Sequence, residues 1–177
     1  RKERGMQVPA EAKLYAAGLG LMLFSPSALA DIPEGADFMS DLGCEPRGRL
    51  YDALVATHRV VLLGTGSPQI YDSIRVVISP AAPTGRALRA TQFGLWTEGG
   101  TLAIRDGYEP MHWSVQDPYE IRFEVPDGYH RVRAHWMPRP DDSDADMHVC
   151  LVMEQTSEPV PGDGWPTLMY SVRLAGA

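Results

Sequence analysis

The fold is decided by residues 119–137, which read YEIRFEVPDGYHRVRAHWM. Apolar and polar side chains alternate along both halves of this segment, as they do in strands that bury one face. Between the halves lies Asp127-Gly128, the kind of pair that best tolerates the positive φ angles of a tight turn. The segment therefore predicts a β-hairpin whose apolar side chains all lie on one face, with Gly128 at a position of positive φ.

The register of this hairpin follows if Asp127-Gly128 is a two-residue loop. Phe123 then lies opposite Val132, and Glu124 lies opposite Arg131 on the polar face. The remaining apolar pairs are Ile121 with Ala134 and Tyr119 with Trp136. A shift of one residue would move the apolar side chains of one arm to the other face, so the pattern predicts this register.

Short strand-like segments recur along the rest of the chain, separated by turn residues. They are residues 60–63, 74–78, 88–96, 102–104, 147–153 and 168–174. The 17 glycines and 15 prolines suit many turns. A chain of 177 residues can bury a core without disulfides or metals. We predict an all-β fold, a single antiparallel β-sandwich of about seven to eight short strands with little helix.

The predicted domain spans residues 14–177 and follows an N-terminal extension, residues 1–13. Met6 is the expected native start, since Lys2-Glu3 ahead of it can be encoded by the purine run of a ribosome-binding site. Residues 31–50 are expected to form a loop with one helical turn near residues 37–42.

Residues 14–30 allow two interpretations. The apolar run 14–24 follows a basic segment and precedes an A-x-A pattern that ends at Ala30, as in a secretory signal peptide. Two acidic residues in the basic segment speak against a signal, and leucines at every second position of residues 19–23 fit a first core strand equally well. We predict a core strand and a cytoplasmic protein; the alternative is a periplasmic or secreted binding module cleaved after Ala30. The run is too short for a transmembrane helix, which takes about 20 apolar residues.

The same choice decides the state of the two cysteines, Cys44 and Cys150, which lie far apart and form no C-x-x-C motif. In the cytoplasm they are expected to be reduced, whereas export would allow a disulfide. Whether they pair therefore stays open.

No local motif predicts an enzyme. Residues 142–146 open like a calcium loop, but Met147 and Met153 occupy the sixth and twelfth positions, where chelation needs a sharp turn and a bidentate acid. The five histidines lack metal-ligand spacing, and residues 64–67 lack the helix and lysine of a phosphate loop. We predict no catalytic residue, no metal, no cofactor, and binding through a surface. A hydrolase assembled from distant histidine and aspartate residues would leave no such spacing, so this class stays open.

The order of features from Ile74 to Trp136 resembles the ComJ-like family of small β-rich nuclease inhibitors. The matching features are an alternating strand at 74–78, a Gly-Gly turn into a strand at 99–104, and the sequence Val-Pro-Asp-Gly-Tyr at 125–129. This resemblance implies a single β-sandwich that binds and silences a nuclease, as bacterial immunity proteins do.

The charge of the chain fits such a partner. The 16 basic and 23 acidic residues give a net charge of −7, which speaks against direct binding of nucleic acid and suits a basic protein. Nuclease active sites are basic because they bind phosphates. The predicted partner is therefore a basic protein toxin of the nuclease class, with no nucleic acid and no membrane involved. The predicted partner-binding residues are four aspartates on one loop: Asp141, Asp142, Asp144 and Asp146.

Overall fold

The computed structural model describes residues 10–15, 20–32, 35, 49–65, 73–107, 120–161, 166 and 168, without the side chains of residues 49–52. This part of the chain contains nine strands, one 3₁₀ turn (Pro26–Leu29) and one helix, α1 (Arg49–Ala56). The strands are β1 (Ala10–Leu14), β2 (Gly20–Phe24), β3 (Val60–Gly64), β4 (Ile74–Ser79), β5 (Arg89–Thr97), β6 (Thr101–Asp106), β7 (Glu120–Glu124), β8 (Gly128–Met137) and β9 (Met147–Thr156). The predicted all-β class is confirmed.

The strands form two sheets. The first sheet has the order β1–β4–β9–β8–β5, and the second has the order β3–β2–β6–β7. Neighbouring strands are antiparallel except β4 and β9, which run parallel. Parallel pairing requires a long connection, and residues 80–146 provide one. Strand β1 begins at Ala10, so the first sheet includes part of the segment assigned to an N-terminal extension. The domain boundary stays a prediction.

The core lies between the sheets, because each strand directs apolar side chains toward the opposite sheet. The first sheet contributes alternate residues of β4, β8 and β9: Ile74, Val76, Ile78, Val132, Ala134, Met147, Val149, Leu151 and Met153. The second sheet contributes Leu21, Leu23, Val61, Leu63, Leu102, Ile104 and Phe123. These side chains form one continuous cluster, which makes the two sheets a sandwich.

A second, smaller apolar cluster covers the outer face of the second sheet. Leu54 of α1 packs there with Met22, Val60 and Leu62. Strand β3 is therefore buried on both faces, which explains its continuous apolar sequence. Helix α1 begins at Arg49, so the predicted loop over residues 31–50 is wrong for its last two residues. Residues 37–42, where a helical turn was expected, lie outside the described part.

The apolar run 14–24 forms parts of two strands instead of one. Leu14 ends β1 in the first sheet, whereas residues 20–24 are β2 in the second sheet. Along β2, alternate side chains face the core between the sheets and the cluster under α1. The expected core strand is thus confirmed for β2, and a single strand beginning at Leu14 is wrong.

The predicted hairpin of residues 119–137 is wrong in its pairing. Strand β7 pairs with β6 in the second sheet, and β8 pairs with β5 and β9 in the first. Phe123 lies opposite Leu102, and Glu124 lies opposite Thr101. Arg131 instead forms an ion pair with Glu154 across β8 and β9, at 3.1 Å. Tyr119 lies outside the described residues.

The alternation that suggested the hairpin is nevertheless confirmed in both strands. Phe123 and Val132 are both buried in the core. A pattern of period two reports only which face is buried, and in a sandwich both sheets turn that face toward the same core. The sequence of one strand therefore does not distinguish a neighbour in its own sheet from a strand in the opposite sheet.

Residues 125–127 thus connect the two sheets, and residues 98–100 do the same between β5 and β6. We call these two connections the double arch, because they lie against each other. Val125 N donates to the Gly100 carbonyl at 3.1 Å, and Gly100 N donates to Asp127 Oδ1 at 2.7 Å. These bonds hold the ends of four strands together.

A buried histidine lies beneath the double arch. His130 Nε2 is 2.9 Å from the Thr97 hydroxyl oxygen and 2.9 Å from the Pro126 carbonyl oxygen. The Thr97 hydroxyl donates to the same carbonyl at 2.7 Å. Burial lowers the pKa of His130, and the carbonyl of Pro126 opposes this shift. Folding therefore disfavours the charged form of this imidazole.

Gly128 has a φ angle of 127°, so the prediction of a positive φ at this residue is confirmed. Gly128→Val is expected to lower the free energy of unfolding by about 1–3 kcal/mol, because a β-branched side chain is strained there. A Cβ atom at this position would also lie 3.1 Å from Gln155 Nε2. Urea denaturation measures the loss, and Gly128→Ala separates backbone strain from the effect of branching. An unchanged unfolding midpoint in both variants would contradict the assignment.

Candidate partner-binding surface

The acidic loop, residues 138–146, joins β8 to β9 and is fixed by hydrogen bonds. Asp146 Oδ2 accepts a hydrogen bond from Ser73 N at 3.1 Å, and Asp146 N donates to the Ser73 carbonyl at 3.0 Å. Ser143 N donates to the Pro140 carbonyl at 3.0 Å, which closes a turn within the loop. The loop therefore presents its side chains from a fixed backbone.

The four predicted aspartates differ in their surroundings. Lys13 of β1 contacts Asp144 Oδ2 at 2.8 Å, and its ammonium group lowers the pKa of Asp144. Asp146 stabilises the backbone of the loop, because its carboxylate accepts a hydrogen bond from Ser73 N. Asp141 and Asp142 are exposed and form no ion pair within the part of the chain that the structure describes. The structure thus brings the four acids together on one loop and leaves two of them outside any ion pair of the described residues.

The outer face of the first sheet adjoins the loop. Arg75 lies on this face next to Lys13, and both of its bonded nitrogens contact the Glu11 carboxylate at 2.6 Å. Glu11, followed by Asp142, raises the pKa of Arg75. Arg75 is therefore engaged mainly by Glu11, and it offsets the charge of Asp142 from a distance.

The segment between β4 and β5, residues 80–88, crosses this outer face, because β9 and β8 lie between the two strands that it joins. Ala87 packs on a small apolar cluster of Met137, Cys150 and Val152. Burial raises the pKa of the Cys150 thiol, which is free. Cys150 is therefore a packed side chain in this sheet, and Cys44 lies outside the described residues.

The other side chains that could bind a metal or act in catalysis do not form a common site. Within the described ranges no set of three His, Cys, Asp or Glu side chains is placed to hold a metal ion. His58 ends α1 in a left-handed conformation with φ of 57°, and His130 lies under the double arch. His135 and His148 lie on the outer face of the first sheet, where burial lowers the pKa of each. No helix among the described residues is long and apolar enough to cross a membrane.

Comparison with known proteins gives two structural likenesses. No family model and no curated protein matches the chain. A solved structure named "Crocagin biosynthetic gene J" is 18% identical with a TM-score of 0.47, covering 81% of this chain and 95% of that one. The crystal structure of ComJ from Bacillus subtilis, an inhibitor of the DNA-degrading activity of NucA, is 10% identical with a TM-score of 0.46, covering 83% and 94%. The chain is thus weakly similar in structure to ComJ.

Proposed function

We propose that this chain is a cytoplasmic immunity or inhibitor protein, without enzymatic activity, that binds and neutralises a basic protein toxin encoded beside it. The nuclease class of the toxin is what the sequence resemblance implies. The observation that carries the proposal is the acidic loop, where Asp141 and Asp142 are exposed, form no ion pair with any described residue, and are held on a fixed backbone. A fixed loop loses little conformational entropy when it binds.

The four acids are proposed to contribute unequally. Asp141 and Asp142 are free to face a cationic surface. Asp144 must first be separated from Lys13, with which it is already paired at 2.8 Å. Asp146 fixes the loop through Ser73 and acts on the partner only through its remaining charge. The main electrostatic contribution is therefore assigned to Asp141 and Asp142.

Charge on an exposed loop acts chiefly on the rate of encounter. Complementary potentials raise association rates well above those of neutral pairs, and the gain decreases steeply with ionic strength. Asp141→Asn with Asp142→Asn is expected to slow association with the toxin by about tenfold at low salt. The difference should nearly vanish at about 1 M salt, where the Debye length is roughly 3 Å. Stopped-flow kinetics against ionic strength, with the nuclease encoded by the neighbouring gene, measures this.

The matched control changes the net charge by the same amount elsewhere. Glu124 and Glu158 are exposed and lie outside the acidic loop. Glu124→Gln with Glu158→Gln should leave the association rate near that of the unmodified protein. Equal slowing by both double variants would assign the effect to net charge and remove the loop from the interface. Failure of the unmodified protein to inhibit the nuclease would contradict the proposed function itself.

The cytoplasmic location is part of this proposal. Its support is that β1 and β2 both lie before Ala30, the site at which a signal peptidase would cut. Strand β2 lies between β3 and β6 in the second sheet. A protein that lost these residues on export would lose a strand from each sheet.

A further inference from the structure

A cleft of about 370 Å³ lies where the crossing segment 80–88 meets the start of the acidic loop. Its volume is at the lower end of the range for small-molecule sites. Nine residues line it: Thr84, Gly85, Arg86, Met137, Pro138, Arg139, Pro140, Asp141 and His148. Two arginines thus come from two different loops to one cleft, in a chain whose net charge is −7.

The two arginines of the cleft are not engaged in ion pairs within the described part of the chain. Neither Arg86 nor Arg139 forms an ion pair with any residue that the structure describes, whereas Lys13, Arg75 and Arg131 each do. Both arginines are exposed and line the cleft. Two guanidinium groups that line one cleft both stabilise an anion bound in it.

The backbone on each side of the cleft is fixed. Ala87 packs against the apolar cluster of the first sheet, and Leu88 N donates to the Trp136 carbonyl at 2.8 Å. On the other side, Arg139 directly follows β8 and precedes the turn closed at Pro140. The two guanidinium groups are therefore attached to rigid positions, which lowers the entropy that a ligand must overcome.

We propose that this cleft binds a phosphate group, either inorganic phosphate or the phosphate of a small monoester, between Arg86 and Arg139. A planar carboxylate is satisfied by one guanidinium in a bidentate pair. A tetrahedral phosphate offers oxygens in several directions and can accept from both arginines at once. Thr84 and Gly85 line the same cleft and add a hydroxyl group and a backbone N–H as further donors.

One acidic residue limits the affinity of the cleft for phosphate. Asp141 also lines the cleft, so its carboxylate repels an anion there. Asp141→Asn is therefore expected to strengthen phosphate binding, although the same substitution weakens binding to a basic toxin. The opposite signs make the two proposals separable, and the phosphate experiment needs no partner protein.

His148 serves as an internal reporter of the anion. Burial and then the charge of Arg75 lower its pKa, whereas the Glu11 carboxylate and the Pro138 carbonyl act in the opposite direction. Asp141 also lines the cleft beside it, and Asp142 lies near enough to Arg75 to raise the pKa of that residue. A dianion held between Arg86 and Arg139 adds negative charge close to the ring, so the pKa of His148 should rise on binding.

The test is NMR titration of the full chain with inorganic phosphate, sulfate and glycerol phosphate at constant ionic strength. We expect saturable shifts at residues 84–86, 139–141 and 148 with all three anions. Sulfate keeps its charge between pH 5 and 8, so the pH titration is made with sulfate against chloride. The pKa of His148 should rise in sulfate, while that of His130 under the double arch should not change.

Matched variants decide whether the cleft is a site. Arg139→Gln and Arg86→Gln are each expected to weaken phosphate binding about tenfold or more, because each removes charged hydrogen bonds. Arg133→Gln changes the same charge at an exposed residue of β8 that does not line the cleft, and should have little effect. Equal weakening by Arg133→Gln, or shifts that do not saturate, would overturn the proposal. Saturation with glycerol phosphate alone would identify the ligand as a monoester.

Discussion

A chain that begins at Asp31 is expected not to fold. It lacks β1 and β2, and β2 occupies an inner position between β3 and β6. Five large apolar side chains of these strands have at most 1% exposure: Leu14, Leu21, Met22, Leu23 and Phe24. Burial of each contributes about 1.5–3 kcal/mol. Their sum is comparable to the whole net stability of a domain, about 5–15 kcal/mol.

Two measurements check this prediction. Circular dichroism and thermal melting compare residues 31–177 with residues 6–177, which begin at Met6 and retain both strands. The longer chain should melt cooperatively, and the shorter chain should show no transition. Mass spectrometry of the protein from its native host then gives the mature N-terminus. A cooperative melt of residues 31–177 would contradict the argument, and a mature N-terminus at Asp31 would contradict the proposed location.

Glu120→Ala is expected to lower the free energy of unfolding by about 3–5 kcal/mol. Glu120 is 5% exposed at the side chain and lies 3.6 Å from Arg105, whose side chain is fully buried on the outer face of the second sheet. Alanine removes a carboxylate that balances the buried guanidinium. Removing one member of a buried ion pair is costly because water cannot solvate the charge that stays behind.

Arg122 provides a control at the same carboxylate. Its Nε donates to Glu120 Oε1 at 2.7 Å, yet its side chain is half exposed. Arg122→Ala should cost less than about 1 kcal/mol, as exposed ion pairs do. Chemical denaturation of both variants gives the comparison. A similar loss in the free energy of unfolding for Glu120→Ala and Arg122→Ala would mean that burial does not determine the strength of these ion pairs.

The fold class was predictable because it depends on local sequence. Alternation along 74–78 and 147–153 and the apolar run at 60–63 each predicted a strand that the structure contains. The pairing of strands depends on residues that are distant in the chain. The pattern at Phe123 and Val132 therefore predicted a hairpin, although the two residues lie in opposite sheets.

The candidate surface was predictable only as a set of acidic residues. Their spacing marked Asp141 to Asp146 as one loop, but it contained no information about the pairing of Asp144 with Lys13, a residue 131 positions away. The cleft was missed for the same reason. Arg86 and Arg139 line one cleft only because residues 80–88 cross the first sheet. Helix α1 was missed because two turns of helix give a weak periodic signal.

The position of β9 in the first sheet determines the order in which the protein can be assembled on the ribosome. Strand β9 lies between β4 and β8, although it is the last described strand along the chain. At roughly 5–20 residues per second, synthesis from Ile74 to Met147 takes about 4–15 s. In the folded sheet β4 lies between β1 and β9, so without β9 that edge of β4 has no partner strand. The nascent chain must therefore keep the apolar face of β4 from aggregating until translation of its neighbour is complete.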